Sequence, residues 1–270
     1  MFSRQALPID INLSTDMIKY ESFISRYHKW IHSSEQTVKG LPGNNPYIVS
    51  GITDAFNQLY GLYNKIGIFK GEYGYHNLVL SDRVTYKLEE ADCIVISHPF
   101  SADGNDSKAF IRYADKLNIP IFIDCAFFGI CSGISFDFSE FKNIHSVCFS
   151  LSKTFGTGLH RVGLLYTKDK FPTAVYRKWN YPLITQALQH YDMLEERSPD
   201  WACTRYRNKQ TAICKLYNLL PSSTVIFAID YSDKYIKYKR GNSNRICISA
   251  MLNDKVKDML HDMDRMGQTN

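Results

Sequence analysis

The stretch that decides the fold reads Ser150-Leu151-Ser152-Lys153-Thr154-Phe155-Gly156, with Gly158, His160, Arg161 and Gly163 close behind. It directly follows an apolar run, Ser146–Phe149, that is typical of a buried strand. A lysine just after such a strand, among hydroxyls and glycines, can form an imine with an aldehyde cofactor. Arg161 lies eight residues further on, and its planar guanidinium suits a phosphate group.

Three earlier segments complete the pattern. Asp124 lies 29 residues before Lys153, at the end of a buried-type strand, where it can pair with a protonated pyridine nitrogen. In Gly51-Ile52-Thr53-Asp54-Ala55 a strand turns into a helix, whose free backbone N–H groups can bind phosphate. Glu72-Tyr73-Gly74-Tyr75 places two aromatic rings in a glycine loop, where one could stack on a flat ring.

Strands and helices alternate through the first two thirds of the chain, which predicts an α/β fold with a mainly parallel or mixed sheet. Strands are predicted at 47–50, 66–70, 93–97, 119–123, 146–149 and 162–166, with helices from about Thr53 and from Asn105 or Asp106. Ligands of such sheets bind at the carboxyl ends of the strands. Four polar residues lie at these ends: Ser50, Ser97, Asp124 and Ser150.

The chain outside this alternation predicts a second, smaller domain. A helix is expected from Ser14-Thr15-Asp16 to about His32, and residues 174–218 look helical with a break at Ser198-Pro199. Strands at 224–231, 235–239 and 245–250 predict an antiparallel meander, with a final helix over 253–266. We therefore expect a large domain at 40–172 and a small α+β domain from 1–39 and 173–270.

Composition excludes several classes of protein. The 270 residues are 44% hydrophobic and 22% charged, which is ordinary for a globular protein and argues against disorder, collagen or coiled coil. No apolar run approaches the about 20 residues of a membrane helix, and the N-terminus shows no signal-peptide pattern. The net charge of +5 is not clustered in the way that a nucleic-acid surface requires.

The seven cysteines form neither CxxC pairs nor a Cys/His metal pattern. Four of them, Cys93, Cys125, Cys148 and Cys247, lie in apolar strand-like runs, where small buried hydrophobic side chains are the default. This usage predicts reduced thiols, no bound metal and a cytoplasmic location.

At this point the sequence resembles the fold-type I pyridoxal-phosphate enzymes, in particular the class I/II aminotransferases and their histidinol-phosphate-aminotransferase-like branch. The residues that carry the resemblance are the Gly51–Ala55 turn, Asp124, Ser150–Gly156 and Arg161-Val162-Gly163, in this order along the family pattern. It covers residues 46–166 well and the rest weakly. It implies a three-layer αβα large domain with a reduced small domain, pyridoxal 5′-phosphate as cofactor, and a homodimer.

The resemblance also implies a role for each matching residue. Lys153 would hold the cofactor as a Schiff base and shuttle a proton, and Asp124 would keep the pyridine nitrogen protonated. The phosphate would be held by Ile52, Thr53, Ser150, Ser152 and Arg161. Tyr73 would stack on the ring, with Tyr75 as the alternate, and Arg245 would bind the substrate α-carboxylate.

Two departures from the family pattern stand beside these matches. Phe127 replaces the usual tyrosine three residues after the aspartate, and Ser101 stands where an asparagine is usual. Both lost groups normally hydrogen-bond the O3′ oxygen of the cofactor, so the imine is expected to stay protonated to higher pH than in typical members. The chain is also short for the family.

The resulting expectation is transamination between an amino acid and a 2-oxo acid. One alternative keeps the cofactor but changes the reaction to decarboxylation, elimination or cyclisation. A second alternative is a non-catalytic binding protein of the same fold. His98 is expected to be a packed or hydrogen-bonding histidine, and Asp103 a turn former.

Overall fold

The computed structural model describes residues 13–43, 46–169 and 181–253. Nine strands lie in its first two segments: β1 (Val38–Lys39), β2 (Tyr47–Val49), β3 (Ile66–Ile68), β4 (Val84–Thr85), β5 (Cys93–Ser97), β6 (Ile121–Cys125), β7 (Phe136–Asp137), β8 (Ile144–Ser150) and β9 (Gly163–Thr167). Seven of them form the central sheet in the order β2-β9-β8-β6-β5-β3-β4, while β1 and β7 pair separately.

The central sheet is mainly parallel, as the alternation predicts. Strands β8, β6, β5, β3 and β4 each run parallel to the next, whereas β9 is antiparallel to both of its neighbours, β8 and β2. Because β9 runs the opposite way, its N-terminal end lies at the same edge as the C-terminal ends of the other strands. The site residues are drawn from this edge.

Helices cover both faces of the sheet, which confirms the three-layer αβα fold. They are α1 (Leu13–His32), α2 (Ile52–Leu62), α3 (Tyr75–Leu80), α4 (Lys108–Asp115), α5 (Tyr181–Tyr191), α6 (Met193–Glu196) and α7 (Trp201–Tyr217). In β5, Ile94 and Ile96 face the core shared with α1, α4 and α5, while Cys93 and Val95 face the core shared with α2. Alternate residues of a strand point to opposite faces, so a fully buried run like this needs cover on both sides.

Helix α1 joins the core of the central sheet. Tyr20, Phe23, Tyr27 and Ile31 recur at helical spacing and are all buried. They pack in one hydrophobic cluster with residues of β8 and β9, for example Phe149. The division of the chain into residues 40–172 and a separate small domain that includes 1–39 stays a prediction.

A second sheet lies towards the C-terminus. Its strands are β10 (Leu220–Pro221), β11 (Phe227–Asp230), β12 (Lys239–Arg240) and β13 (Ser243–Cys247), all antiparallel in the order β10-β11-β13-β12. Helix α7 packs on this sheet through buried Cys214. The helical stretch predicted before it is confirmed as α5, α6 and α7; residues 170–180 and the final helix expected after 253 lie outside the described residues.

The strand predicted at Tyr235–Lys239 is wrong. Residues Asp233–Tyr238 form 3-10 turns, and strand structure resumes only at Lys239. None of the six residues is buried, so the alternation of lysine with tyrosine has no core to face. A strand pattern needs a buried face to hold its register.

Two smaller expectations also change. The residue that precedes helix α4 is Ser107, rather than the predicted cap Asn105 or Asp106; the buried Ser107 hydroxyl donates to the Ser97 carbonyl oxygen at 2.8 Å. Cys247, expected in a buried strand, is exposed, whereas the other six cysteines are buried and all seven are free. Among the described helices, none is both long and apolar enough to cross a bilayer.

Candidate active site

The polar strand ends predicted from the sequence meet at one edge of the central sheet. Gly163, the first residue of β9, pairs with both Val49 of β2 and Ser150 of β8. Ser97 of β5 pairs with Asp124 of β6. The register therefore gathers segments that are far apart in the sequence into one row along this edge.

An anion cradle lies at the start of α2. Gly51 precedes the helix with φ 72° and ψ −177°, a conformation that side-chain-bearing residues avoid, and no side chain caps it. A Cβ at this position would lie 3.1 Å from Nε and 3.2 Å from Nη2 of Arg161. The guanidinium thus lies directly against the backbone at a helix N-terminus, where partial positive charge accumulates.

The Arg161 guanidinium is short of partners. Its Nε atom is buried and has no hydrogen-bond acceptor among the described residues. A buried donor of this kind is costly unless a ligand or water satisfies it. The chemistry of the cradle, two kinds of N–H donor and a permanent cation, fits a phosphate group.

Two buried hydroxyl groups lie at the end of β8 and just after it. Ser150 and Ser152 are both buried, and their hydroxyl oxygens are 3.2 Å apart. Ile52 and Thr53 are the first two residues of α2. Thr53 is therefore inside the helix, and Gly51 occupies the N-cap position.

Asp124 is a buried carboxylate next to two cations. Its Oδ1 accepts a hydrogen bond from the Ala126 backbone N–H at 2.8 Å. Burial raises the pKa of this carboxyl, while the positive charges of Lys153 and Arg161 and the Ala126 hydrogen bond pull it down. A cationic ring nitrogen beside Asp124 would add the counter-charge that the desolvated carboxylate lacks.

Lys153 faces the same space. Burial of its ammonium group lowers its pKa, as do Arg161 and Arg245, and Asp124 opposes the shift. The side chain stays accessible to solvent, and its Nζ atom lies 4.7 Å from the centre of the Phe127 ring. An accessible lysine with a lowered pKa is a better nucleophile at neutral pH than an ordinary surface lysine.

Two tyrosines of the predicted glycine loop stack on each other. The rings of Tyr73 and Tyr75 are 5.9 Å apart and nearly parallel, and both lie near Phe56 of α2. Tyr73 keeps 36% of its surface exposed. Its accessible ring offers a stacking surface.

Glu72 is a buried acid that the sequence pattern did not single out as a site residue. Its carboxylate accepts hydrogen bonds from the backbone N–H groups of Tyr73 and Ser97, each at 2.8 Å, and from the Ser97 hydroxyl. Burial raises its pKa to about 8, and the charge of Asp124 adds to the shift. In the sequence, Glu72 is visible only as a charged residue next to an aromatic loop, and such a residue is normally exposed.

Arg245 reaches the site from β13. Its Nη1 atom donates a hydrogen bond to the backbone carbonyl of Ser101, and its guanidinium lies 4.4 Å from the centre of the Phe227 ring. Burial lowers its pKa to about 10. Its charge is one of those that lower the pKa of Lys153, so the two cations act on the same space.

The remaining predicted residues have structural roles. His98 is fully buried, with its two ring nitrogens bonded to the Ser107 hydroxyl at 2.9 Å and the Ser135 carbonyl at 3.0 Å. Asp103 accepts a hydrogen bond from the Asn105 N–H at 2.9 Å, as a turn former does. Both expectations are confirmed.

Comparison with solved structures supports the fold. The chain is similar to the histidinol-phosphate aminotransferase from Clostridium acetobutylicum, with 12% identity, a TM-score of 0.60, and 94% of each chain covered. Aminotransferase AspB from Helicobacter pylori matches with 14% identity and a TM-score of 0.64 over 87% of this chain and 81% of that chain. L-threonine-O-3-phosphate decarboxylase from Porphyromonas gingivalis matches with 13% identity and a TM-score of 0.58 over 92% and 96%.

No protein-family model and no curated protein matches the sequence. The fold is therefore established by structure rather than by sequence similarity. The chain has the fold-type I fold of the pyridoxal-phosphate-dependent aminotransferases.

Proposed function

We propose that the protein is a pyridoxal-phosphate-dependent aminotransferase that acts on an amino acid and a 2-oxo acid. One observation carries the proposal. At a single sheet edge, the charges of Lys153 and Arg161 act on the buried Asp124 carboxylate, and the Arg161 guanidinium, with one unpartnered nitrogen, lies against the start of α2. If these charged groups only stabilised the fold, the Arg161 Nε atom would be expected to have a hydrogen-bond acceptor. It has none among the described residues.

Each part of this arrangement fits one part of the cofactor. The phosphate would be held by Arg161 and the first N–H groups of α2 at Ile52 and Thr53, with the Ser150 and Ser152 hydroxyls beside them. Asp124 would pair with the ring nitrogen, Lys153 would bond to the aldehyde carbon, and Tyr73 would stack on the ring. When bound, the cofactor supplies an electron sink for the negative charge left on Cα when a bond to it breaks.

The chain's own residues would do the rest. Lys153 would move a proton at the substrate Cα, and its lowered pKa increases the neutral fraction that can accept one. Arg245 would bind the substrate carboxylate with its planar fork, exchanging the Ser101 carbonyl for a charged partner. Phe127 and Ser101 contribute no tyrosine or asparagine donor, so the O3′ oxygen would rely on other contacts.

Decarboxylation is the second candidate. It is supported by the similarity to a decarboxylase of the same fold, at 13% identity. The same electron sink serves both reactions, and the choice depends on which bond to Cα lies perpendicular to the ring. Because Phe127 lacks the hydroxyl of the usual tyrosine, one group that would fix the orientation of the cofactor ring is absent.

The first experiment is an absorbance spectrum of the purified protein with added pyridoxal phosphate. A band at about 410–430 nm is expected from a cofactor bonded to a lysine. Lys153→Ala should abolish it, whereas Lys116→Ala, an exposed lysine at the end of α4, should keep it. Absence of the band in the unmodified protein would favour a non-catalytic binding protein of this fold.

The reaction is then identified from its products. Incubation of the loaded protein with single amino acids should yield pyridoxamine phosphate and a 2-oxo acid if it is an aminotransferase. Release of carbon dioxide with the cofactor unchanged would support decarboxylation instead. We further propose a homodimer in the cytoplasm, testable by sedimentation and by fractionation.

A further inference from the structure

Two aromatic side chains form a continuous row between two cations of the site, Lys153 and Arg245. The Lys153 Nζ atom lies 4.7 Å from the centre of the Phe127 ring. The rings of Phe127 and Phe227 meet edge to face, with centres 5.2 Å apart and planes at 86°. The Arg245 guanidinium lies 4.4 Å from the centre of the Phe227 ring.

Each step of this row has a physical basis. A cation within about 6 Å of a ring centre is attracted by the negative charge over the ring face. Edge-to-face packing is the favoured arrangement of two aromatic rings. Both rings are buried, Phe127 with 7% and Phe227 with 4% of its surface exposed, so the rings themselves are shielded from bulk water.

The row joins two sheets. Phe127 follows β6 of the central sheet, two residues beyond Cys125, whereas Phe227 and Arg245 belong to β11 and β13 of the C-terminal sheet. Arg245 pairs with Ile229, two residues from Phe227, so both side chains lie on one face of that sheet. Both rings also belong to one hydrophobic cluster with Val225.

We propose that Phe127 and Phe227 are positioning residues that form an aromatic bridge, which fixes the Lys153 amine and the Arg245 guanidinium relative to each other. Its meaning for catalysis rests on the proposed function: the bridge gives the amine a defined place whenever it is not bonded to the cofactor. The substitution of the family's tyrosine by Phe127 is then not simply a lost hydroxyl. The ring of Phe127 contacts the lysine through its face and Phe227 through an edge-to-face packing.

The test is the pH profile of Lys153 in the protein without cofactor. The rate at which an amine-labelling reagent modifies Lys153 is measured against pH by peptide mass spectrometry. The charged groups that act on Lys153 are Asp124 of β6, Arg161 before β9 and Arg245 of β13. None of these residues is replaced in the ring variants, so a shift of the profile reports how the rings hold Lys153 and Arg245.

Phe127→Leu removes the ring face that favours the charged amine. The midpoint of the profile should move to lower pH by about half a unit, which is a roughly threefold faster reaction below the midpoint. Phe227→Leu should move it in the same direction although its ring lies next to Phe127 and Arg245 rather than Lys153. Phe227→Tyr keeps the ring, so its profile should match that of the unmodified protein.

Two controls separate the bridge from other causes. Arg245→Gln removes a cation near Lys153 and should shift the midpoint the opposite way, to higher pH. Val225→Ala perturbs the same buried cluster and should leave the midpoint in place. An unchanged profile in Phe227→Leu, or an equal shift in Val225→Ala, overturns the proposal; because no cofactor is used, neither result depends on whether the protein binds pyridoxal phosphate.

Discussion

Gly51→Ala is the sharpest single test of the anion cradle. Gly51 has φ 72° and ψ −177°, a region that is essentially closed to residues with a Cβ and costs of order 1–3 kcal/mol. The new methyl group would also lie 3.1 Å from Nε and 3.2 Å from Nη2 of Arg161. The guanidinium must then move away from the helix start.

Two losses follow from this one methyl group. The free energy of unfolding should fall by about 1–3 kcal/mol, which is about 2–4 °C in melting temperature per kcal/mol at this size. Displacing Arg161 removes a hydrogen bond to a charged group, worth about 1.5–3 kcal/mol. The affinity for pyridoxal phosphate should therefore fall roughly tenfold to a hundredfold.

Gly61→Ala is the matched control in the same helix. A Cβ at Gly61 meets no atom within 4 Å, and alanine is favoured over glycine inside a helix by about 0.5–1 kcal/mol. The two variants should thus shift stability in opposite directions, as measured by urea denaturation without cofactor. The reasoning fails if Gly51→Ala is neutral, or if it destabilises the protein while cofactor titration gives an unchanged affinity.

Three further predictions concern other residues of the site. The pKa of Glu72 is raised to about 8, so the free energy of unfolding should fall as the pH rises from about 4.5 to 8. Glu72→Gln should flatten this pH dependence, as measured by urea titrations at each pH. A pH dependence identical to that of the unmodified protein would contradict the prediction. The pKa of His98 is lowered to about 4, so stability should fall on acidification from about pH 6.5 to 4, and His98→Asn should reduce this loss without changing the Glu72 slope. Arg245→Lys keeps the charge but loses the fork, so KM for the amino acid should rise about tenfold with a smaller change in kcat, and an unaltered KM would remove Arg245 from the substrate site.

The central site was predictable because strand ends fix it. Lys153, Asp124 and Ser150 each follow or end a buried apolar run, and parallel strands bring such ends to one edge. The phosphate-binding role proposed for Arg161 was predictable from its spacing in the sequence, eight residues after Lys153. Its role beside Gly51 depends on β9 running antiparallel between β8 and β2, which no local pattern encodes.

The errors arose where burial, rather than periodicity, decides the outcome. Tyr235–Lys239 has the alternation of a strand but no buried face, and its residues up to Tyr238 form 3-10 turns. Glu72 has the character of a surface residue, yet three hydrogen bonds hold it under the loop of Tyr73. Phe227 lies in the C-terminal sheet, far from Phe127 along the chain, so the contact between the two rings could not be inferred from sequence spacing.

The Arg161 cradle also has a consequence for the order of folding events. The Ser50 hydroxyl and the Arg161 carbonyl that it contacts are 111 residues apart in the chain. Closing a loop of that length costs about 4 kcal/mol of chain entropy, so this contact is expected late, after the local helices and neighbouring parallel strands have formed. A phosphate-bearing ligand binds only the completed cradle, so it selectively stabilises the last stage of folding by mass action.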